Sequence, residues 1–245
     1  MLLALMAAML GGTAGCGDQE REIEFGWLTN LFRSKKDRLH EKALDKRNPQ
    51  NRIEAIYEMS EESWGRQEPY LEAYAGFAKE DLYPSVRAAG VTALARSNAR
   101  EYMPVIIESL NDRSELVRTA GAAALVEMPD PNAITPLTQA AMDDESADVR
   151  STAAEALRHY RDPDAVATLV KCLADPEFAV RYQAHESLVY ITGVDRGYET
   201  WDWPAESQGH LPKVAPRSER AWWDPWDWWG TKEESPAPAT QPANP

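Results

Sequence analysis

Residues able to carry out chemistry are sparse in this chain. Four histidines, His40, His159, His185 and His210, and two cysteines, Cys16 and Cys172, are spread over 245 residues. No Cys or His pair has the spacing of a zinc site, and no phosphate-binding glycine loop or nucleophile motif is present. The only His-Glu pairs are His40-Glu41 and His185-Glu186, far apart in the chain. Cys172 directly precedes Leu173 in an apolar helical stretch, where a free thiol behaves as a small hydrophobe. The sequence therefore assigns no catalytic residue, no cofactor and no metal.

The spacing that does recur belongs to aspartate and arginine. A Val-Arg pair returns as Val86-Arg87, Val117-Arg118, Val149-Arg150 and Val180-Arg181, at steps of 31, 32 and 31 residues. An aspartate lies six residues before each arginine: Asp81, Asp112, Asp144 and Asp175. Four after each valine comes a small residue (Gly90, Gly121, Ala153, Ala184), at seven mostly another (Ala93, Ala124, Ala156, Ser187), and at eight a leucine (Leu94, Leu125, Leu157, Leu188). Offsets of four, seven and eight share one helical face, and small side chains there let two helices approach closely. A second apolar helix precedes each aspartate: 105–110, 137–142 and 166–173, with Pro104 and Pro136 suited to a first helical turn. Asp130-Pro131 and Asp162-Pro163 supply breaks and caps. A period near 31 built of helix, Asp turn and helix predicts a solenoid.

The run L-x-D-x-x-x-x-VR-x-x-A-x-x-A-L resembles the HEAT repeat, in particular the short form of phycobilisome lyase-type and other bacterial HEAT proteins. The resemblance covers about residues 65 to 192. It implies an all-α, right-handed α-solenoid of about five helix-turn-helix repeats, with the Val-Arg helices lining the concave face. It also implies an Asp/Arg ladder between neighbouring repeats, carried over here as Asp81 and Arg87, Asp112 with Arg118, Asp144 with Arg150, and Asp175 with Arg181. A degenerate copy precedes these at residues 51–55, with Lys46 where the aspartate is expected, as suits a terminal repeat. One enzymatic relative, the deoxyhypusine hydroxylase family, holds iron with His-Glu pairs on successive Val-Arg helices. Helix layers roughly 8 to 10 Å apart put His40-Glu41 and His185-Glu186 some four repeats apart, too far to share a metal. A lyase-type enzyme or enzyme accessory remains the alternative to a scaffold, on fold analogy alone.

Within such an array the core positions repeat while outward positions vary, so partner contact is expected two and six residues after each valine: Thr119, Ser151, Glu155, Tyr182 and Glu186. Tyr182 is the best anchor, joining apolar area to a polar tip. The net charge of −14 argues against nucleic acid, whose phosphates call for a basic surface. A protein partner, bound by a monomer, is the expectation.

Both ends differ from the repeats. Residues 1–15 form a short apolar run followed by small residues, too short to span a bilayer, and fit a signal peptide. Thr13-Ala14-Gly15-Cys16 resembles a bacterial lipobox, which implies that Cys16 is lipidated and becomes the first residue of the mature chain. Residues 16–34 then link the anchor to a solenoid over 35–193. Ile23, Trp27, Leu31 and Phe32 beside Arg33, Lys35, Lys36 and Arg38 either rest on an anionic membrane surface or cap the first repeat. Seven of the nine tryptophans lie between Trp201 and Trp229, in a segment, 194–230, read as a cap or docking element; Trp201 and Trp203 favour the cap, and Trp222 to Trp229 are left open. Residues 231–245 are rich in Pro and Ala with little apolar bulk, and disorder is expected there.

These readings describe a HEAT scaffold tethered to the extracytoplasmic side of a bacterial membrane. Cys16→Ser is expected to abolish lipidation and cleavage. Mass spectrometry of the wild-type N-terminus checks this, because recovery of an unmodified Met1 in the cytosolic fraction contradicts the anchor.

Overall fold

The computed structural model describes residues 34–200 and Trp203. The chain separates into two compact units, 1–38 and 39–245; in the first, the described residues open helix α1, and all that follows concerns the second. Among the described residues there are ten α-helices and no strand: α1 (Lys35–Ala43), α2 (Pro49–Glu61), α3 (Tyr70–Glu80), α4 (Pro84–Arg96), α5 (Met103–Ser109), α6 (Glu115–Glu127), α7 (Ile134–Asp143), α8 (Ala147–Leu157), α9 (Pro163–Cys172) and α10 (Phe178–Thr192).

The helix limits follow from local chemistry. Asn48 and Asp162 accept hydrogen bonds from the first free backbone N–H groups of α2 and α9, each of which has Pro in its first turn. Ser146 caps α8 in the same way. Asp130 instead caps a 3-10 turn, Pro131–Ala133, that leads into α7, so Pro136 lies inside the first turn of that helix rather than at its start. At the far end α10 stops at Gly193, whose φ of 71° is the left-handed conformation that glycine adopts without strain.

The even-numbered helices stack in sequence, α2 on α4, α4 on α6, α6 on α8 and α8 on α10. Behind them α3, α5, α7 and α9 each pack on the Val-Arg helix that follows, giving a second layer. Val86, Val117, Val149 and Val180, with the four leucines eight residues on, are fully enclosed between the layers. Close approach depends on the small residues. A methyl group added at Gly90 would sit 2.7 Å from both the Ala78 nitrogen and the Tyr74 carbonyl oxygen of α3, and one at Gly121 would collide with the Ser109 hydroxyl. Ser187, in the place of the third copy's Ala156, spends its buried hydroxyl on the Ala154 carbonyl of α8 at 2.8 Å. That bond satisfies a polar group that burial would otherwise penalise. Cys172 is enclosed on α9, and burial pushes its thiol pKa up to about 12. No helix among the described residues is long and apolar enough to cross a membrane.

The glycines on one repeat make opposite demands. Gly90→Ala is expected to destabilise by about 1 to 3 kcal/mol, because backbone atoms cannot move aside. At Gly76 an added methyl group would meet only open space. Gly76→Ala is therefore expected to stabilise by about 0.5 to 1 kcal/mol through lower unfolded-state entropy. Thermal denaturation of the two variants is expected to shift in opposite directions.

Candidate functional site

The turn between the two helices of each repeat carries the aspartate, and the second helix carries the arginine one turn in. In every complete rung the arginine is held on both sides. Its Nη1 donates to the main-chain carbonyl of its own repeat's aspartate: Arg87 to Asp81 at 2.9 Å, Arg118 to Asp112 at 3.0 Å and Arg150 to Asp144 at 2.9 Å. Its Nε and Nη2 donate together to the carboxylate of the next repeat: Arg87 to Asp112 at 2.8 and 2.8 Å, Arg118 to Asp144 at 2.7 and 2.9 Å, Arg150 to Asp175 at 2.8 and 3.1 Å. Such paired N–H to carboxylate bonds combine charge with fixed geometry.

The side-chain pairing is therefore offset by one repeat from the pairs taken within each copy. Asp112 binds the fork of Arg87 and offers Arg118 only its carbonyl; the same holds for Asp144 with Arg150 and Asp175 with Arg181. The reason is geometric: Nη1 is taken by the turn it grows from, which leaves the Nε/Nη2 edge directed at the next layer. Each carboxylate also accepts the N–H two residues on, from Ser114, Ser146 and Glu177, which holds the turn. Burial pushes these carboxyls up, but the guanidinium fork, the turn N–H and the arginine charge outweigh it. Asp112, Asp144 and Asp175 end below the ordinary carboxylate range.

A further rung precedes these. Arg52 donates Nε and Nη2 to Asp81 at 3.0 Å each, and Nη1 to the Asp45 carbonyl at 2.6 Å. The first repeat has thus kept its acid, and Lys46 does not occupy that place. Asp45 sits seven residues before Arg52 rather than six, so one extra residue in the turn hides it from a fixed spacing. The Asp45 carboxylate is closed locally by the Arg47 and Asn48 N–H groups and the Asn51 amide.

The histidines have structural partners. His40 bonds the Tyr70 hydroxyl at 2.9 Å beside Trp64. His185, enclosed on α10, bonds Asp195 at 2.8 Å and stacks on Tyr198 at 4.4 Å, tying the segment after Gly193 to the last repeat. Burial first, then Arg158, lowers the His159 pKa to about 4 and keeps that ring neutral. Trp203 is 1% exposed, with Nε1 bonded to the Gly197 carbonyl at 3.1 Å. No group of three or more His, Cys, Asp or Glu among the described residues is arranged to hold a metal. Cys16, Trp201, His210 and Trp222 to Trp229 lie outside the described residues.

Of the outward positions, Tyr182 is 46% exposed and the Glu186 side chain 50%, whereas Thr119, Ser151 and Glu155 are half-buried. Thr119 spends its hydroxyl on the Glu115 carbonyl, and Glu155 pairs with Arg158 at 3.2 Å. The same layer carries Arg96 over Tyr57 and Arg158 over Tyr190, at 5.3 and 5.6 Å from the ring centres.

Residues 71–158 and 134–197 match the family model described as HEAT repeats, together more than half of the chain. The chain belongs to the HEAT-repeat family. Its fold is also similar to the X-ray structure of YibA of Escherichia coli, at a TM-score of 0.53 and 24% identity over 63% of this chain. The match spans 60% of that chain, and at this identity it speaks for the fold alone. No curated protein matches the sequence.

The offset ladder makes two arginines unequal. Arg150→Ala strands the nearly buried Asp175 carboxylate and is expected to cost about 3 to 5 kcal/mol. Arg181→Ala strands no carboxylate among the described residues and is expected to cost under about 1 kcal/mol. Chemical denaturation of the two variants tests the pairing register directly.

Proposed function

HEAT repeats are protein-interaction modules, and we propose that this chain is a monomeric scaffold that binds a protein partner and acts without catalysing a reaction. The observation that supports this most is the outer face of the Val-Arg layer, where Tyr182 and Glu186 stand exposed on a rigid repeat frame. A rigid frame lowers the entropy lost when a partner is bound. His40 and His185 offer no second reading, since both are engaged in packing the two ends.

We further propose that the scaffold works in the bacterial cell envelope, held on the extracytoplasmic side of a membrane through lipidated Cys16. The support is the apolar leader and the Thr13-Ala14-Gly15-Cys16 pattern. Each acyl methylene buried in the bilayer contributes about 0.8 kcal/mol, so two or three chains give durable attachment.

Affinity purification of the full chain from detergent-solubilised membranes tests the scaffold. A defined protein is expected to co-purify, and Tyr182→Ala combined with Glu186→Lys is expected to reduce its recovery several-fold with the melting temperature unchanged. Recovery unchanged by the double variant moves the site elsewhere, and a preparation that carries chromophore absorbance or metal favours the lyase-type alternative.

A further inference from the structure

Among the described residues the last arginine of the ladder is prepared like the others and meets no carboxylate. Arg181 Nη1 is clamped by the carbonyls of Asp175 at 2.7 Å and Pro176 at 2.8 Å, and the first of these bonds is the anchor seen in every preceding rung. In Arg52, Arg87, Arg118 and Arg150 that anchor leaves Nε and Nη2 to grip an aspartate of the following turn. Among the described residues Arg181 Nε and Nη2 grip nothing, and the residue, like Arg150, is half-buried. Its guanidinium lies 5.6 Å from the ring centre of Phe178, which is 61% exposed, and Phe178 neighbours exposed Tyr182 at 6.1 Å. A preorganised two-donor edge beside exposed aromatic surface is a built recognition site.

We propose that Arg181, with Phe178 and Tyr182, docks an acidic turn of a partner protein: an aspartate carboxylate presented as the next rung would present it, followed by an apolar side chain that covers the rings. The four filled rungs define this chemistry, since each takes an aspartate whose carboxylate also holds the N–H two residues on. A second copy of the chain fits less well. Among the described residues the aspartate at the opposite end of the ladder, Asp45, is already closed by Arg47, Asn48 and Asn51. Asp195 and Tyr198 moreover cover His185, at the position on α10 where its counterparts Val91, Ala122 and Ala154 are buried by the next Val-Arg helix. Among the described residues the lateral edge with Arg181 is open while His185 on the end face is covered, which suits a peptide turn better than another repeat. This site deepens the scaffold reading by naming the kind of segment recognised, and it shares Tyr182 with the outer face.

The test uses the full chain with 15N-labelled arginine, and the Arg181→Lys spectrum identifies the Arg181 Nε–H signal. The probe is the synthetic peptide acetyl-Leu-Ala-Asp-Pro-Glu-Phe-amide, the sequence of this chain's own last rung turn (173–178). The Arg181 signal alone among the five ladder arginines is expected to move saturably, with a dissociation constant on the order of 1 mM. The diamide peptide, Asn for Asp and Gln for Glu, is expected to move none. Lys lacks the two-donor fork, so Arg181→Lys is expected to weaken peptide binding roughly tenfold, read from the peptide's Phe signals. The proposal is overturned if the Arg181 signal stays still, or if it already lies with those of Arg87 and Arg118 before peptide is added. In the latter case dilution separates a carboxylate of the same chain, which persists, from another copy, which dissociates. Because the readout is peptide binding and not partner recovery, its failure leaves the pull-down of the double variant to stand or fall separately.

Discussion

Each repeat of this protein is joined to the next by a guanidinium that touches two turns at once. The Nη1 contact fixes the arginine to the turn of its own repeat, and the Nε/Nη2 fork fixes the next turn to it, so the orientation of one repeat is passed to its neighbour. Arg52, Arg87, Arg118 and Arg150 do this in series, with the arginine and aspartate side chains between 4% and 16% exposed. Charges so far out of water are tolerated because every polar edge is spoken for: the fork, the carbonyl and the N–H two residues on. Apolar burial holds the layers together but has no direction; the rung supplies the direction.

Packing and ladder depend on one another. The fork reaches the next carboxylate only because successive Val-Arg helices lie close, and in two of the repeats the paired helices lie close because Gly90 and Gly121 stand where a side chain would collide with the helix behind. The enclosed valines and leucines then fill the space left between layers without a polar atom to satisfy. Where a polar residue enters this core, as Ser187 does, it donates at once to a carbonyl of the neighbouring helix.

A linear array has two ends, and they are finished differently. At the first, Asn51 and two backbone N–H groups take the place of the missing arginine on Asp45. At the last, Asp195 and Tyr198 cover His185 of α10, while among the described residues the fork of Arg181 meets no carboxylate. His40 and His185, which open the two His-Glu pairs of the sequence, are parts of these end structures. Their pairing with Tyr70 and Asp195 joins residues that no local spacing connects.

The sequence by itself determined the repeat, its helix pair and its core positions, because these rest on periodicity and on caps whose partners are two or three residues away. Val, small residue and Leu at fixed offsets can satisfy only one face of one helix, so Val149, Ala153 and Leu157 were legible without coordinates. Tertiary structure alone decided which aspartate each arginine grips. Own and next repeat carry the same residue at the same offset, and only the direction of the guanidinium edge after Nη1 is anchored separates them. It likewise revealed Asp45, displaced by one residue within a turn that is free to lengthen as long as its carbonyl still meets Arg52. Which outward residues remain exposed was also beyond the sequence. Thr119, Ser151 and Glu155 occupy the same offsets as Tyr182 and Glu186, yet they are half-buried, and Thr119 and Glu155 are engaged by the Glu115 carbonyl and Arg158.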